Sequence, residues 1–178
     1  MRRRRFLGLV MIAMAVFITG VASLGVLEDD DEADGLAGVA SCRTGPAAEG
    51  EPEWDELPGW TADALDAAVP DDATCRELSF AKTADEELAS LHLRVEAPGG
   101  SVGIDAERLG GSVDEYRAVL PFELAEQPGG LYRANGQDLW YAFPERDGAV
   151  WALSATGDER RAPAVLSDLT LSWGTSAR

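Results

Sequence analysis

The sequence predicts an α+β fold: an antiparallel sheet of about five to six strands with two to three helices packed on one face, preceded by one N-terminal transmembrane helix. Three observations predict it. Residues 6–27, FLGLVMIAMAVFITGVASLGVL, form an uncharged apolar run. After it, apolar residues recur at helical spacing in a few short stretches. Between these, apolar and polar residues alternate in runs bounded by Gly, Pro and Asn-Gly turn signals, the pattern of half-buried strands.

The apolar run is entered from Arg2–Arg5 and left through an acidic tract beginning at Glu28. At about 1.5 Å per residue a helix over it is about 33 Å long, enough for the hydrocarbon core. The arginines then stay cytoplasmic and the rest of the chain lies outside. A cleavable signal peptide is the rival for residues 6–27, with Val21 and Ser23, or Gly20 and Ala22, as the small residues at the −3 and −1 positions of a peptidase site. The chain is then secreted. Arg3-Arg4-Arg5-Phe6-Leu7 also fits a twin-arginine core, and Val39-Ala40-Ser41-Cys42 spells a lipobox, although acids stand between it and the apolar run. The division that follows is 1–27 anchor or signal peptide, 28–52 acidic and Gly/Pro/Ala-rich linker, and 53–178 extracytoplasmic domain.

Of 178 residues, 32 are acidic and 15 basic, a net charge of −17. Removing the four N-terminal arginines leaves 32 acids against 11 bases, a net of −21, on the exported part. Such a surface repels phosphate backbones, which argues against nucleic acid as a partner. The composition also suits simple solubility outside the cell. The two cysteines, Cys42 and Cys75, are expected to form a disulfide in an oxidising exterior. That bridge would tie the segment around Cys42 to the domain. One histidine and no CxxC speak against a metal site, and no cofactor motif occurs.

The elements follow in order. Residues 36–42 form a short first strand if the bridge holds them. Leu57-Pro58-Gly59-Trp60 turns into a first helix with Thr61 as N-cap, Leu65, Ala68 and Val69 inward, Asp63 and Asp66 outward, and Pro70 as its stop. Residues 88–96 place Leu91, Leu93 and Val95 on one face and Ser90, His92 and Arg94 on the other. With Val102 and Ile104 beyond the Pro98-Gly99-Gly100 turn they make a hairpin, and residues 77–82 pair on its outer side. Ser112 and Glu115 have capping-box spacing before a second helix with the stripe Val113, Tyr116, Val119 and Leu120, ended by Pro121. Residues 131–134, Asn135-Gly136 and 138–143 read as a second hairpin, and Arg146-Asp147-Gly148 turns into residues 149–156. Pro163 opens a closing helix with Val165, Leu166 and Leu169 inward, although Leu169, Leu171 and Trp173 fit a strand equally well.

The single N-terminal span, the LP-x-GW-like turn at Leu57-Pro58-Gly59-Trp60, the strand pair around Leu91 and Asp105, the helix after Val113, the Gly136-to-Trp140 strand and a closing helix together resemble a family of uncharacterised actinobacterial membrane-anchored proteins. The resemblance spans roughly residues 57–169. It implies a sheet-plus-helix fold similar to PsbP and Mog1, and no catalytic residues. The Cys42/Cys75 pair departs from it.

Two functional classes remain. His92 is the only histidine, and its strand neighbours Ser90 and Arg94 place it on a polar face turned to water, away from a triad. Hydrolysis by paired carboxylates is the enzymatic alternative, since 32 acids make close pairs inevitable. The other class is a noncatalytic binding or interaction module of the cell envelope, with an envelope protein or glycan as partner. Its candidate surface is Trp54, Trp140 and Trp151. Trp54 lies in a polar stretch, and Trp140 alternates with Leu139, Tyr141 and Phe143, so a sheet face carrying Trp140 would present an exposed aromatic patch.

Overall fold

The computed structural model describes residues 35–42, 53–69 and 71–174. The apolar run 6–27, expected as anchor or signal peptide, lies outside the described residues, as do the acidic tract and residues 43–52. Among the described residues, no helix is long and apolar enough to cross a membrane.

Strand β1 (Cys75–Lys82) pairs with β2 (Leu88–Ala97), β2 with β3 (Gly100–Arg108), and β3 with β8 (Ala149–Thr156). The sheet continues from β8 through β6 (Leu139–Ala142) and β5 (Leu131–Ala134) to β4 (Leu124–Gln127), while β7 (Glu145–Arg146) forms a hairpin with β8. All these pairings are antiparallel. The helices are α1 (Gly59–Ala68), α2 (Val113–Val119) and α3 (Arg161–Gly174).

Register carries the alternation of each strand across the sheet. Leu93 lies opposite Ile104, Ile104 opposite Ala155, and Ala155 opposite Trp140, so these four share one face. Helices α1 and α3 cover that face and each other, burying Leu65 and Ala68 from one and Val165, Leu166, Leu169 and Trp173 from the other. At about 25 cal/mol per Å² of apolar surface, this single core is the main stabilising term. Helix α3 resolves the choice left open for the C-terminal element. A strand would point Leu169, Leu171 and Trp173 the same way, whereas the helix buries Leu169 and Trp173 and leaves Leu171 71% exposed. Asp158 starts it: its carboxylate accepts from the backbone N–H of Arg160 at 2.9 Å and of Arg161 at 2.8 Å. Those two bonds hold the Asp158 carboxyl below the usual range.

Several expectations are corrected. The sheet has eight strands among the described residues, not five or six. The additional ones, β4 and β7, have four and two residues, too few for alternation to register in the sequence. Only α1 and α3 share a face. Helix α2 forms the expected capping box, Ser112 and Glu115 bonding reciprocally, but buries no residue, and Val119 is 77% exposed. Its Tyr116 ring meets Phe143 at 6.0 Å on the opposite face of the sheet. Thr61 is not the N-cap of α1. Pro58 holds that position, its carbonyl accepting the Thr61 N–H at 2.8 Å, and Thr61 is wholly buried.

Residues 35–42 belong to the fold rather than to a linker. They form a 3-10 turn, Gly35–Gly38, with Leu36 in the core, and then a single parallel bridge from Ser41 to Arg76 instead of a strand. Arg76 is their anchor. Its backbone N–H donates to Ala40, its carbonyl accepts from Cys42, and its guanidinium donates to the carbonyls of Val39 at 3.1 Å and Ala37 at 3.2 Å. Asp66 completes the attachment by accepting from the Leu36 N–H at 2.7 Å. Burial lowers the Arg76 pKa from its usual value, and Asp66 partly offsets that.

Candidate functional site

Cys42 and Cys75 form the disulfide expected of them, with Cα atoms 4.8 Å apart. It clamps residues 35–42 onto the end of β1, where Arg76 already holds them.

The three tryptophans expected to make a binding surface do not make one. Trp54, Trp140 and Trp151 are 9%, 8% and 4% exposed, and they stand in separate places. Trp54 lies under the Arg76 guanidinium, 4.5 Å from its ring centroid. Trp140 faces the helices and is roofed by Arg133 at 5.4 Å, which Glu159 and Asp138 hold at 3.0 and 3.3 Å. Trp151 belongs to the core beside Trp173. The physical reason is the pairing of β6: Trp140 lies opposite Ala155 and therefore inward, while Tyr141 lies opposite Ser154 on the other face. Both phases of Leu139-Trp140-Tyr141-Ala142 are apolar, so alternation alone cannot choose. His92 is exposed as expected, and its Nδ1 meets the Asp105 carboxylate at 2.7 Å on the face opposite the helices.

A cavity of about 280 Å³ opens at one end of the sheet. The antiparallel pairing brings together there the start of β2, the end of β3 and the β7–β8 turn, and α1 begins above them. Its apolar wall is indole: Trp60 and Trp151 line it, with Pro58, Leu88 and Ala149. Behind them Trp173 completes an edge-to-face trio, with centroid distances of 6.1 Å for Trp60–Trp151, 4.9 Å for Trp60–Trp173 and 5.3 Å for Trp151–Trp173.

Two arginines complete the lining, each beside an acid. Arg108 pairs with Glu87 across β3 and β2. Arg146 is 7% exposed and lies over the Trp60 ring at 4.1 Å, with Asp147 at 3.5 Å. It also donates to the Trp173 carbonyl at 2.8 Å, closing the C-terminal end of α3 where the helix dipole favours a cation. The turn that positions it requires positive φ at both central residues: Asp147 has φ +52° and Gly148 φ +75°.

Sequence reasoning passed over Arg108 and Arg146. The signal for Arg108 is its phase, since it continues the inward series Val102, Ile104, Ala106 at the end of an amphipathic strand. Arg146 stands immediately before an Asp-Gly turn and reads there as ordinary turn chemistry. Neither its burial nor its partner in α3, 27 residues away, is visible in the order of residues.

No protein family, curated protein or solved structure matches the chain.

Proposed function

We propose that this chain is a membrane-anchored, extracytoplasmic and noncatalytic binding module of the cell envelope, of the kind its resemblance to single-span actinobacterial proteins implies. Its ligand is a small organic acid with an aromatic or branched apolar body, held in the cavity between Trp60 and Arg108. The observation that carries the reading is the placing of two guanidiniums against an indole wall in a chain of net charge −17. The indoles supply low-polarity contact area. Arg108 offers a planar fork suited to a carboxylate. A guanidinium has five N–H donors, and Glu87 engages only its Nη1, so a second carboxylate can be seated without breaking the first pair. Helix α1 has no acid in its first turn and adds its positive end above the cavity. The volume, just below the usual range of about 300–1,000 Å³, fits one ring and one carboxylate.

Glu87 and Asp147, the two acids lining the cavity, are each engaged by an arginine, so the arrangement favours binding over hydrolysis by paired carboxylates.

The test is a titration of the full-length protein in detergent with N-acetylated phenylalanine, leucine and alanine, followed by tryptophan fluorescence. The expected result is a saturable change for the first two that weakens at least tenfold in Arg108→Gln. No saturable response at millimolar ligand, or an unchanged one in Arg108→Gln, overturns the reading. The anchor is tested separately by fractionation and intact mass. A full-length mass in the membrane fraction supports it, and a mature mass beginning near Leu24 in the medium makes the module a secreted one.

A further inference from the structure

The face of the sheet opposite α1 and α3 collects the aromatic residues that the core does not use. Tyr141 lies opposite Tyr132 on that face, and Phe143 contacts both, with centroids at 6.3 and 5.5 Å. Tyr116 of α2 meets Phe143 at 6.0 Å, and Phe122 meets Tyr141 at 6.1 Å. All but Tyr141 are half-buried. Helix α2 covers this patch lightly, through Tyr116 and Arg117 and with no buried residue of its own.

The patch already holds a cation. The Arg117 guanidinium lies over Tyr132 at 4.9 Å. The surroundings are acidic: exposed Glu126 lies opposite Tyr132, and exposed Glu107 and Asp105, the latter also meeting His92 Nδ1 at 2.7 Å, lie near enough that, after burial as the main cause, they help to raise the phenols of Tyr116 and Tyr141. An aromatic face rimmed by carboxylates attracts guanidinium and ammonium groups through both ring quadrupole and Coulomb terms.

We propose that this face docks a basic, extended segment of a partner protein, one of whose arginines displaces Arg117 from Tyr132. Helix α2 is then a strap carrying an internal stand-in for the ligand, and the partner must compete with it. The site is independent of the cavity at the end of the sheet.

The test uses the full-length protein in detergent at 150 mM salt with acetyl-(Gly-Arg)4-amide as probe, measured by calorimetry. Arg117→Ala is expected to tighten binding at least threefold, because the competitor is gone. Tyr132→Leu, which keeps apolar volume and removes the ring, is expected to weaken it at least fivefold. Asp105→Asn/Glu107→Gln should weaken it at least tenfold. Asp71→Asn/Asp85→Asn, which changes net charge equally at exposed positions elsewhere, should change it less than twofold. Equal weakening by the two acid pairs means bulk charge alone and overturns the proposal. So does an Arg117→Ala variant that binds no better, or a wild type that does not bind.

Discussion

The Arg146 guanidinium lies 4.1 Å from the ring centroid of Trp60, and this contact joins the β7–β8 turn to the start of α1. The same side chain donates to the carbonyl of Trp173 at 2.8 Å, so three elements distant in sequence meet on one buried cation. A hydrogen bond from a charged donor is worth about 1.5–3 kcal/mol and a desolvated cation–π contact about 2 kcal/mol. A lysine is a point charge and cannot stack flat while reaching the carbonyl. Arg146→Lys is therefore expected to cost about 2–3 kcal/mol in urea unfolding followed by circular dichroism. A loss of a few tenths would mean that the stack is ornamental.

The Cys42–Cys75 bridge closes a loop whose ends are 33 residues apart. Constraining the unfolded chain over that length stabilises the fold by about 4 kcal/mol in the chain-entropy treatment. Cys42→Ser/Cys75→Ser should lower unfolding free energy by about that amount. It should also increase proteolysis near residues 35–42, since the covalent part of their attachment, beside Arg76, Asp66 and the buried Leu36, would then be gone.

Helix α2 depends on its cap more than on packing. Ser112 and Glu115 satisfy each other's backbone N–H groups, at 3.2 and 2.8 Å, and the Ser112 N–H, with its hydroxyl at 3.1 Å, holds the Glu115 carboxyl below its ordinary value. Ser112→Ala should cost the helix about 1 kcal/mol. Because α2 has no fully buried residue, the loss should appear locally, as roughly fivefold faster amide exchange in residues 113–119, with the melting temperature almost unchanged. A drop of many degrees would show that α2 is part of the cooperative core.

Burial and the nearby acids push the Tyr116 phenol up to about 12 and raise Tyr141 as well. A pKa raised in the folded state contributes stability that is fully present below the unfolded value, about 10, and is lost as pH rises through the folded value. Stability is expected to fall between about pH 10 and pH 12 from this source. Absorbance at 295 nm should show Tyr116 ionising late, and the late phase should vanish in 6 M guanidinium. Tyr116→Phe removes the contribution, so its alkaline decline should be shallower than that of the wild type.

Much of this was legible in the order of residues where local physics leaves one choice. Residues 88–106 read as a hairpin because Leu91, Leu93 and Val95 alternate with charged partners, and one face of such a strand must be buried. Ser112 and Glu115 read as a helix start because few other arrangements satisfy both orphan donors. The disulfide followed from two cysteines and the expectation that the chain is exported. Where two choices were locally equal, the reading turned the wrong way. In β6 both phases are apolar, and the face carrying Trp140, rather than the one carrying Tyr141 and Phe143, is the one the sequence leads one to expect open. In β4, Leu124-Ala125-Glu126-Gln127 carries no strand signal of its own and exists only because β5 offers it an edge.

By itself, then, the sequence determined the class of fold, the turns, the Ser112–Glu115 cap and the bridge, because each of these depends on residues close together or on a pairing with no competitor. Only the tertiary structure decided which face of each strand the helices cover, and hence that Trp140 and Trp151 pack against the helices while Tyr132 and Tyr141 lie on the opposite face. It alone assembled the cavity, because Trp60, Arg108 and Arg146 come from three separate stretches. Their meeting depends on sheet register, and register is a property of paired strands that no single strand contains.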